Sequence, residues 1–262
     1  MTVYQIDAFT NRLFGGNPAA VIPLQAWPSE VLMQQIAMEN NLSETVFIVP
    51  SQQAGVHYDI RWFTPVDEIN LCGHATLATA YVLFEILQHP DNNIVFHSQS
   101  GLLTIHKEGD KYHMDFPSWA PEKLDLVPAY LQEALGGAAP LEVHQHRDLM
   151  VLLRDEAAIR DCVPDFTLMK EHFKYIIITA PGDDSDFVSR FFAPGSGVDE
   201  DPVTGSAHSQ LIPFWSNRLQ KPSLFARQLS QRGGELWCQQ LNSDRVSIAG
   251  QCVFYMKGEI SL

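Results

Sequence analysis

Short runs of β-branched and aromatic residues, each closed by turn residues, recur along the chain. Val46-Phe47-Ile48-Val49-Pro50, Ile94 to His97, Leu102 to His106 and Tyr112 to Phe116 are the first set. Tyr175 to Pro181, Leu236 to Leu241, Val246 to Ile248 and Cys252 to Met256 are the second. Runs of this length, ended by proline or by a polar cluster, predict strands. Lys107-Glu108-Gly109-Asp110-Lys111 and Asn242-Ser243-Asp244 read as hairpin turns. Ala75 to Leu87 is apolar nearly all round, with Thr76, Thr79 and Glu85 as its polar exceptions, which predicts a helix enclosed by other elements. A second helix is expected to start after Ser29 as N-cap, burying Leu32 and Ile36. Within the proline- and glycine-rich crossover Pro117 to Pro140, Ala129 to Leu135 predicts a further helix. A helix after Ala207 is expected to kink or stop at Pro213, which has no N–H to donate.

The pattern also repeats at long range, and a repeat constrains architecture before any single motif does. Arg61-Trp62-Phe63-Thr64-Pro65 is echoed by Arg190-Phe191-Phe192-Ala193-Pro194. Each is followed by a small-residue turn, Cys72-Gly73-His74-Ala75 and Thr204-Gly205-Ser206-Ala207, and each is preceded by an apolar run ended by proline. Two similar halves are expected, 1–116 and 117–262, each a central helix wrapped by strands, with the final strand 252–262 able to return to the first half.

Composition narrows the functional classes. A formal charge of −14 and a pI near 5.0 argue against nucleic acid or an anionic membrane as partner, because that field repels phosphate. The start of the chain lacks the basic and apolar regions of a signal peptide, and no apolar run is long enough to span a bilayer, so a cytoplasmic protein is expected. Cys72, Cys162, Cys238 and Cys252 form no CxxC pair, so neither a zinc knuckle nor a disulfide framework is expected. His144 and His146 could lie on one side of a strand, yet no third ligand is marked out, and no metal is expected. Gly195-Ser196-Gly197 lacks the further glycine of a dinucleotide loop and there is no P-loop, so neither nucleotide-binding motif is present.

The candidate chemistry lies at the duplicated turns and the acids near them. Gly73 and Gly205 each fall where an extended segment enters a helix, and unpaired N–H groups there favour a carboxylate ligand. If the two halves face one another, both helix N-termini converge on one cleft. Glu44 stands immediately before a strand with Ser43 and Thr45 beside it. Asp199-Glu200-Asp201-Pro202 reads alone as a solvated loop, but Asp201 is three residues before Thr204, where the helix dipole keeps a carboxylate ionised to receive an ammonium. Two carboxylates in different environments can divide such work, with Glu44 as the proton-exchanging member and His74 assisting. Cys72 beside His74 could suggest a thiol nucleophile, but adjacent turn positions seldom bring side chains into contact, and a structural cysteine is the commoner case.

Four blocks carry a family resemblance: Phe9-Thr10 with Phe14-Gly15-Gly16-Asn17-Pro18-Ala19-Ala20-Val21, Asn41 to Thr45, Cys72 to Thr76, and Asp201 to Ala207. In these the chain resembles the phenazine-biosynthesis F-like proteins. The resemblance implies a diaminopimelate epimerase-like α/β fold of the α+β type, with two pseudo-twofold-related domains, each a curved, mostly antiparallel sheet around a central helix. It implies a homodimer and a cofactor-independent isomerase, with Glu44 as the catalytic residue and Asn17, Ser43, Gly73, His74, Asp201, Gly205 and Ser206 at the positions that bind a small carboxylate substrate. From their place at the turns, His74 and Asp201 count with Glu44 as catalytic. Related epimerases use two cysteines, one per turn; here Cys72 faces Thr204 in the repeat, which leaves single-base proton transfer. A non-catalytic metabolite-binding protein and, ranked lowest, a cysteine hydrolase are the alternatives that the residues leave open.

Overall fold

The computed structural model describes all residues, 1–262. In chain order its strands are β1 (Thr2–Ala8), β2 (Asn17–Pro23), β3 (Glu44–Pro50), β4 (Tyr58–Phe63), β5 (Glu68–Ile69), β6 (Asn93–Ser98), β7 (Gly101–Glu108), β8 (Lys111–Pro117), β9 (Glu122–Lys123), β10 (Glu142–Gln145), β11 (Leu149–Leu152), β12 (Ile176–Pro181), β13 (Phe187–Ala193), β14 (Val198–Asp201), β15 (Ser223–Gln228), β16 (Gly234–Gln240), β17 (Arg245–Gly250) and β18 (Cys252–Glu259). The helices are α1 (Glu30–Asn40), α2 (Gly73–Tyr81), α3 (Leu131–Ala134), α4 (Glu156–Asp161), α5 (Phe166–His172) and α6 (Gly205–Leu219). Two compact units contain them: Met1–Asp115 with Ala249–Leu262, and Phe116–Ile248. No helix is long and apolar enough to cross a membrane.

Both units follow one pairing scheme. In the first, β18, β1 and β2 pair antiparallel, β2 and β3 parallel, β3 and β4 antiparallel, β4 and β6 parallel, and β6, β7 and β8 antiparallel. In the second, β9, β10 and β11 pair antiparallel, β11 and β12 parallel, β12 and β13 antiparallel, β13 and β15 parallel, and β15 and β16 antiparallel. Parallel neighbours occur where a helix intervenes, α1, α2, α4 with α5, and α6, because a tight hairpin cannot return a strand in the same direction. The result is a mixed α/β fold dominated by antiparallel pairs, as the family resemblance implies.

The repeat extends to side chains. Arg61 on β4 grips Glu68 on β5 with Nε and Nη2 at 2.7 and 2.6 Å, and its guanidinium lies over Phe63. Arg190 on β13 grips Glu200 on β14 with Nε and Nη2 at 2.7 and 3.0 Å, over Phe192. The acids Asp199, Glu200 and Asp201 are therefore not a solvated loop: they form a short strand held by its arginine, since a half-buried guanidinium needs a bidentate acceptor.

The helices show where local reading succeeds and fails. Ser29 Oγ accepts the Leu32 N–H at 3.3 Å, and Asn41 in the left-handed region ends α1. The buried stripe is Met33, Ile36 and Ala37, packed with Ile22, Phe47 and Phe63, while Leu32 is only half-buried. Ser29→Ala is expected to lower stability by about 1 kcal/mol, read as a lower urea midpoint at unchanged m-value. The enclosed helix begins at Gly73, with eight buried residues, and passes into a π-helical turn at Val82–Ile86. It packs on β1, β2, β3 and β18.

Two expectations are corrected. Ala129 to Leu135 yields only the four-residue α3, because Tyr130 takes a left-handed conformation that blocks an earlier start. Pro213 does not stop α6, which runs from Gly205 to Leu219. The carbonyl it deprives of a partner is that of Ser209, four residues earlier, and the Trp119 N–H donates to that oxygen at 2.8 Å. A segment outside the helix thus replaces the bond that proline removes.

Candidate functional site

In the first unit, three elements end at one place. The parallel pairing of β2 with β3 sets Ala19 opposite Glu44, so Asn17 and Glu44 open their strands at the same end. Gly73 starts α2 beside them, and His74 follows. His74 Nε2 lies 2.9 Å from Glu44 Oε2. Its Nδ1 lies 3.2 Å from Asn17 Nδ2 and 3.5 Å from Cys72 Sγ. Asn17, Cys72 and His74 are buried and the Glu44 side chain is 14% exposed. Apart from each other, Glu44 Oε2 and His74 Nε2 have no polar partner. Ser43 is half-buried immediately ahead of β3.

The Cys72–His74 contact corrects the expectation that neighbouring turn positions stay apart. Cys72 is extended (φ −140°, ψ 115°) and its chain turns directly into α2, which brings Sγ round to the imidazole two residues on. Burial pushes the thiol up to about 11, the Glu44 carboxylate adds to this, and His74 opposes it. Cys72 is therefore a neutral thiol near neutral pH and a poor nucleophile. For His74, burial disfavours charge, but the Glu44 carboxylate, with Cys72 Sγ as a further hydrogen-bond acceptor, outweighs burial and raises its pKa well above the ordinary histidine value. With the Asn17 amide nitrogen donating to Nδ1, the ring proton sits on Nε2 and faces Glu44. A second proton, on Nδ1, is accepted by Cys72 Sγ or by Asn17 with its amide turned over.

Glu44, Cys72 and His74 also bring a carboxylate oxygen, a sulfur and an imidazole nitrogen within 4.8 Å of one another, the donor set of a divalent cation. The protonated thiol opposes that use. His57, His89 and Asp91 form a second such group, but His57 Nδ1 accepts the Val95 N–H at 2.9 Å. That leaves the ring proton on Nε2, the nitrogen a metal would need. His144 and His146 do not act together: His144 pairs with Glu142 at 2.9 Å, and His146 stacks on Trp119.

The second unit holds the other turn. Asp201 ends β14 and its carboxylate accepts from Thr204 Oγ1. The Thr204 N–H donates to Gln228 Oε1 at 2.9 Å, and Gln228 Nε2 donates to the Asp201 carbonyl at 2.8 Å. Gln228, fully buried, ties the turn together; 24 residues separate it from Thr204 and no sequence pattern marks it. Gly205 is buried at the start of α6, and Ser206 Oγ accepts from Arg147 Nη2 at 3.1 Å. Neither Cys72 nor Thr204 makes a side-chain capping hydrogen bond at the start of its helix.

One further parallel links the two helices. Thr76 Oγ1 donates to the Cys72 carbonyl at 2.5 Å, and His208 Nδ1 donates to the Thr204 carbonyl at 2.9 Å, at the matching position of the repeat. Burial brings the His208 pKa down to about 4, slightly opposed by that bond. The unfolded chain takes up this proton near pH 6.5 and the native state only near 4, so stability is full above pH 6.5 and falls as pH drops between those values. His208→Gln is expected to flatten the dependence of the melting temperature on pH over that window.

The comparisons with known proteins cover nearly the whole chain. The family model described as phenazine biosynthesis-like protein, PhzC-PhzF, matches residues 6–258. An uncharacterized isomerase of Pseudomonas aeruginosa is 51% identical across 99% of this chain and 98% of its own. The crystal structure of a PhzF-family phenazine biosynthesis protein from Enterococcus faecalis superposes with a TM-score of 0.94 at 46% identity, covering 100% of this chain and 99% of that one. A predicted epimerase of Pseudomonas aeruginosa, at 21% identity and a TM-score of 0.72 over 99% of this chain and 98% of its own, shares the fold. With the duplicated pairing scheme and both glycine turns inside the matched region, the chain belongs to the PhzC-PhzF family of phenazine biosynthesis-like proteins.

Proposed function

We propose that this protein is a cofactor-independent isomerase that moves a proton on a small carboxylate-bearing, amino- or hydroxy-substituted substrate, with Glu44 taking and returning the proton. The observation that carries this reading is the buried Glu44–His74 pair, whose facing atoms have no other polar partner. A carboxylate so held removes a proton from carbon when the charge left behind spreads into an adjacent carboxylate or double bond, and returns it at another carbon. His74, with its raised pKa, faces Glu44 with its Nε2 proton and orients the carboxylate. General acid/base action of this type supplies roughly 10²- to 10⁴-fold, the remainder coming from positioning and exclusion of water.

The uncapped start of α2 at Gly73 supports binding of the substrate carboxylate, as N–H groups at a helix N-terminus favour anions. Asp201 is the carboxylate assigned to a substrate ammonium, with Ser43, Gly205 and Ser206 as further binding positions. Thr204 rather than cysteine opens the second turn, which favours one base over a two-thiol epimerase mechanism. The reading includes a cytoplasmic homodimer. Incubating the protein in D₂O with a panel of amino and hydroxy acids, ring and open-chain, tests it by mass. Uptake of one solvent deuteron into an acid of this class is the expected result, and tight binding of such acids without exchange would sink it.

A further inference from the structure

We propose that Gln228 and Thr204 are positioning residues that hold Asp201 as the acceptor for a substrate ammonium, so that the second unit favours amino acids over hydroxy acids. The inference rests on the assignment of Asp201 to a substrate ammonium and adds two residues that act through it. Gln228 is the last residue of β15 and only 1% exposed. Its side-chain oxygen accepts the Thr204 N–H at 2.9 Å, while Nε2 donates to the Asp201 carbonyl at 2.8 Å and to Thr204 Oγ1 at 3.2 Å. These bonds admit one orientation of the amide, because turning it over would set N–H against N–H and oxygen against oxygen. Thr204 Oγ1 therefore receives a proton from Gln228, and its own proton goes to Asp201 Oδ2. A hydrogen bond donated to that oxygen favours the ionised carboxylate and fixes its orientation.

The fold does not need this chain of bonds. In the first unit β6 holds the place of β15: each has six residues, runs parallel to the strand before its helix and ends on a buried residue. The last residue of β6 is Ser98, whose hydroxyl donates to the Gly101 carbonyl at 2.9 Å and accepts the Ser100 N–H at 3.1 Å, within its own hairpin. The turn at Cys72 thus enters α2 without a side chain from β6, and Cys72 meets His74 instead. A substrate ammonium brings three donors and a charge and needs an ionised acceptor, whereas a hydroxyl bonds to a neutral or an ionised group alike. Loosening Asp201 therefore weakens binding of an ammonium more than binding of a hydroxyl.

Matched pairs of one carbon skeleton, alanine with lactate, aspartate with malate and phenylalanine with phenyllactate, titrated into the full chain by calorimetry, test the proposal. At least one pair is expected to bind, with the amino acid favoured about tenfold. Thr204→Val keeps the shape of the side chain and removes the hydroxyl, while Ser230 Oγ still ties the turn by donating to the Pro202 carbonyl at 2.8 Å. This variant is expected to bind the amino acid about tenfold more weakly and the hydroxy acid within about twofold of wild type, with Thr204→Ser restoring the preference. Gln228→Met, its fold checked by thermal melting, is expected to shift the preference in the same direction. Proton NMR reads the order of the bonds without a ligand: the Thr204 hydroxyl proton is expected to exchange slowly with water in the wild type and fast in Gln228→Met. Equal losses for both acids in Thr204→Val, no binding by any pair, or a fast-exchanging hydroxyl in the wild type would each overturn the proposal. Glu44→Gln is expected to keep the preference while losing deuterium exchange, and a wild type that shows the preference without exchange would count against Glu44 while upholding Thr204 and Gln228.

Discussion

Glu44→Gln is expected to lower solvent-deuterium exchange into substrate by at least about 10²-fold while leaving the fold intact. The substitution keeps the length and planarity of the side chain and removes its titrating oxygen. Glu44 is the first residue of β3, and its backbone register against Ala19 does not depend on the carboxylate. A second consequence falls on His74. Its pKa is raised against burial by Glu44, with Cys72 Sγ as a further acceptor, so losing the carboxylate lowers it, and an NMR titration of the imidazole reads that shift.

The sign follows from linkage. A histidine raised above its unfolded value contributes stability that is fully present below about pH 6.5 and disappears as pH rises through the folded value. Glu44→Gln should therefore lose stability mainly on the acid and neutral side, with little change at high pH. Retained exchange at the wild-type rate would remove Glu44 from the mechanism.

Gly16→Ala is expected to cost about 3 kcal/mol or more in stability, the largest effect of any single-methyl change in the first unit. Gly16 has φ +61°, in the left-handed region, and a Cβ there would stand 2.0 Å from the Ala8 carbonyl oxygen and 2.9 Å from Thr10 Cγ2. The closest obstruction is the backbone of β1, which pairs on both sides and cannot give way. Gly109 has the same φ but nothing within 4 Å of a built Cβ, so Gly109→Ala should cost only about 1 kcal/mol from conformational strain. Comparing the two melting temperatures separates the clash from the strain. The following residue is Asn17, whose amide meets His74, so the fraction of Gly16→Ala that folds is also expected to lose exchange. Equal melting temperatures for the two variants would show that the loop moves freely, contrary to its packing.

By itself the sequence determined the elements and their duplication. Strand runs, the Asn242–Asp244 turn, the Ser29 cap and the enclosed helix from Ala75 all follow from side-chain period and turn chemistry, which act within a few residues. The echo of Arg61 to Pro65 in Arg190 to Pro194 carries further, because a duplicated segment restores the same strand order and, with Glu68 and Glu200, the same ion pair. The family blocks drew attention to Asn17, Glu44 and His74 without stating any distance between them.

Tertiary structure alone decided the rest. That His74 meets Cys72, Asn17 and Glu44 together depends on the parallel register of β2 with β3, across the 11-residue helix α1. That α6 survives Pro213 depends on a donor from Trp119, and that the second turn is rigid depends on Gln228. Each is a bond between groups far apart along the chain. Local propensity gives the energy of a segment in water, whereas these bonds gain their worth only when folding has removed the water that would otherwise make them.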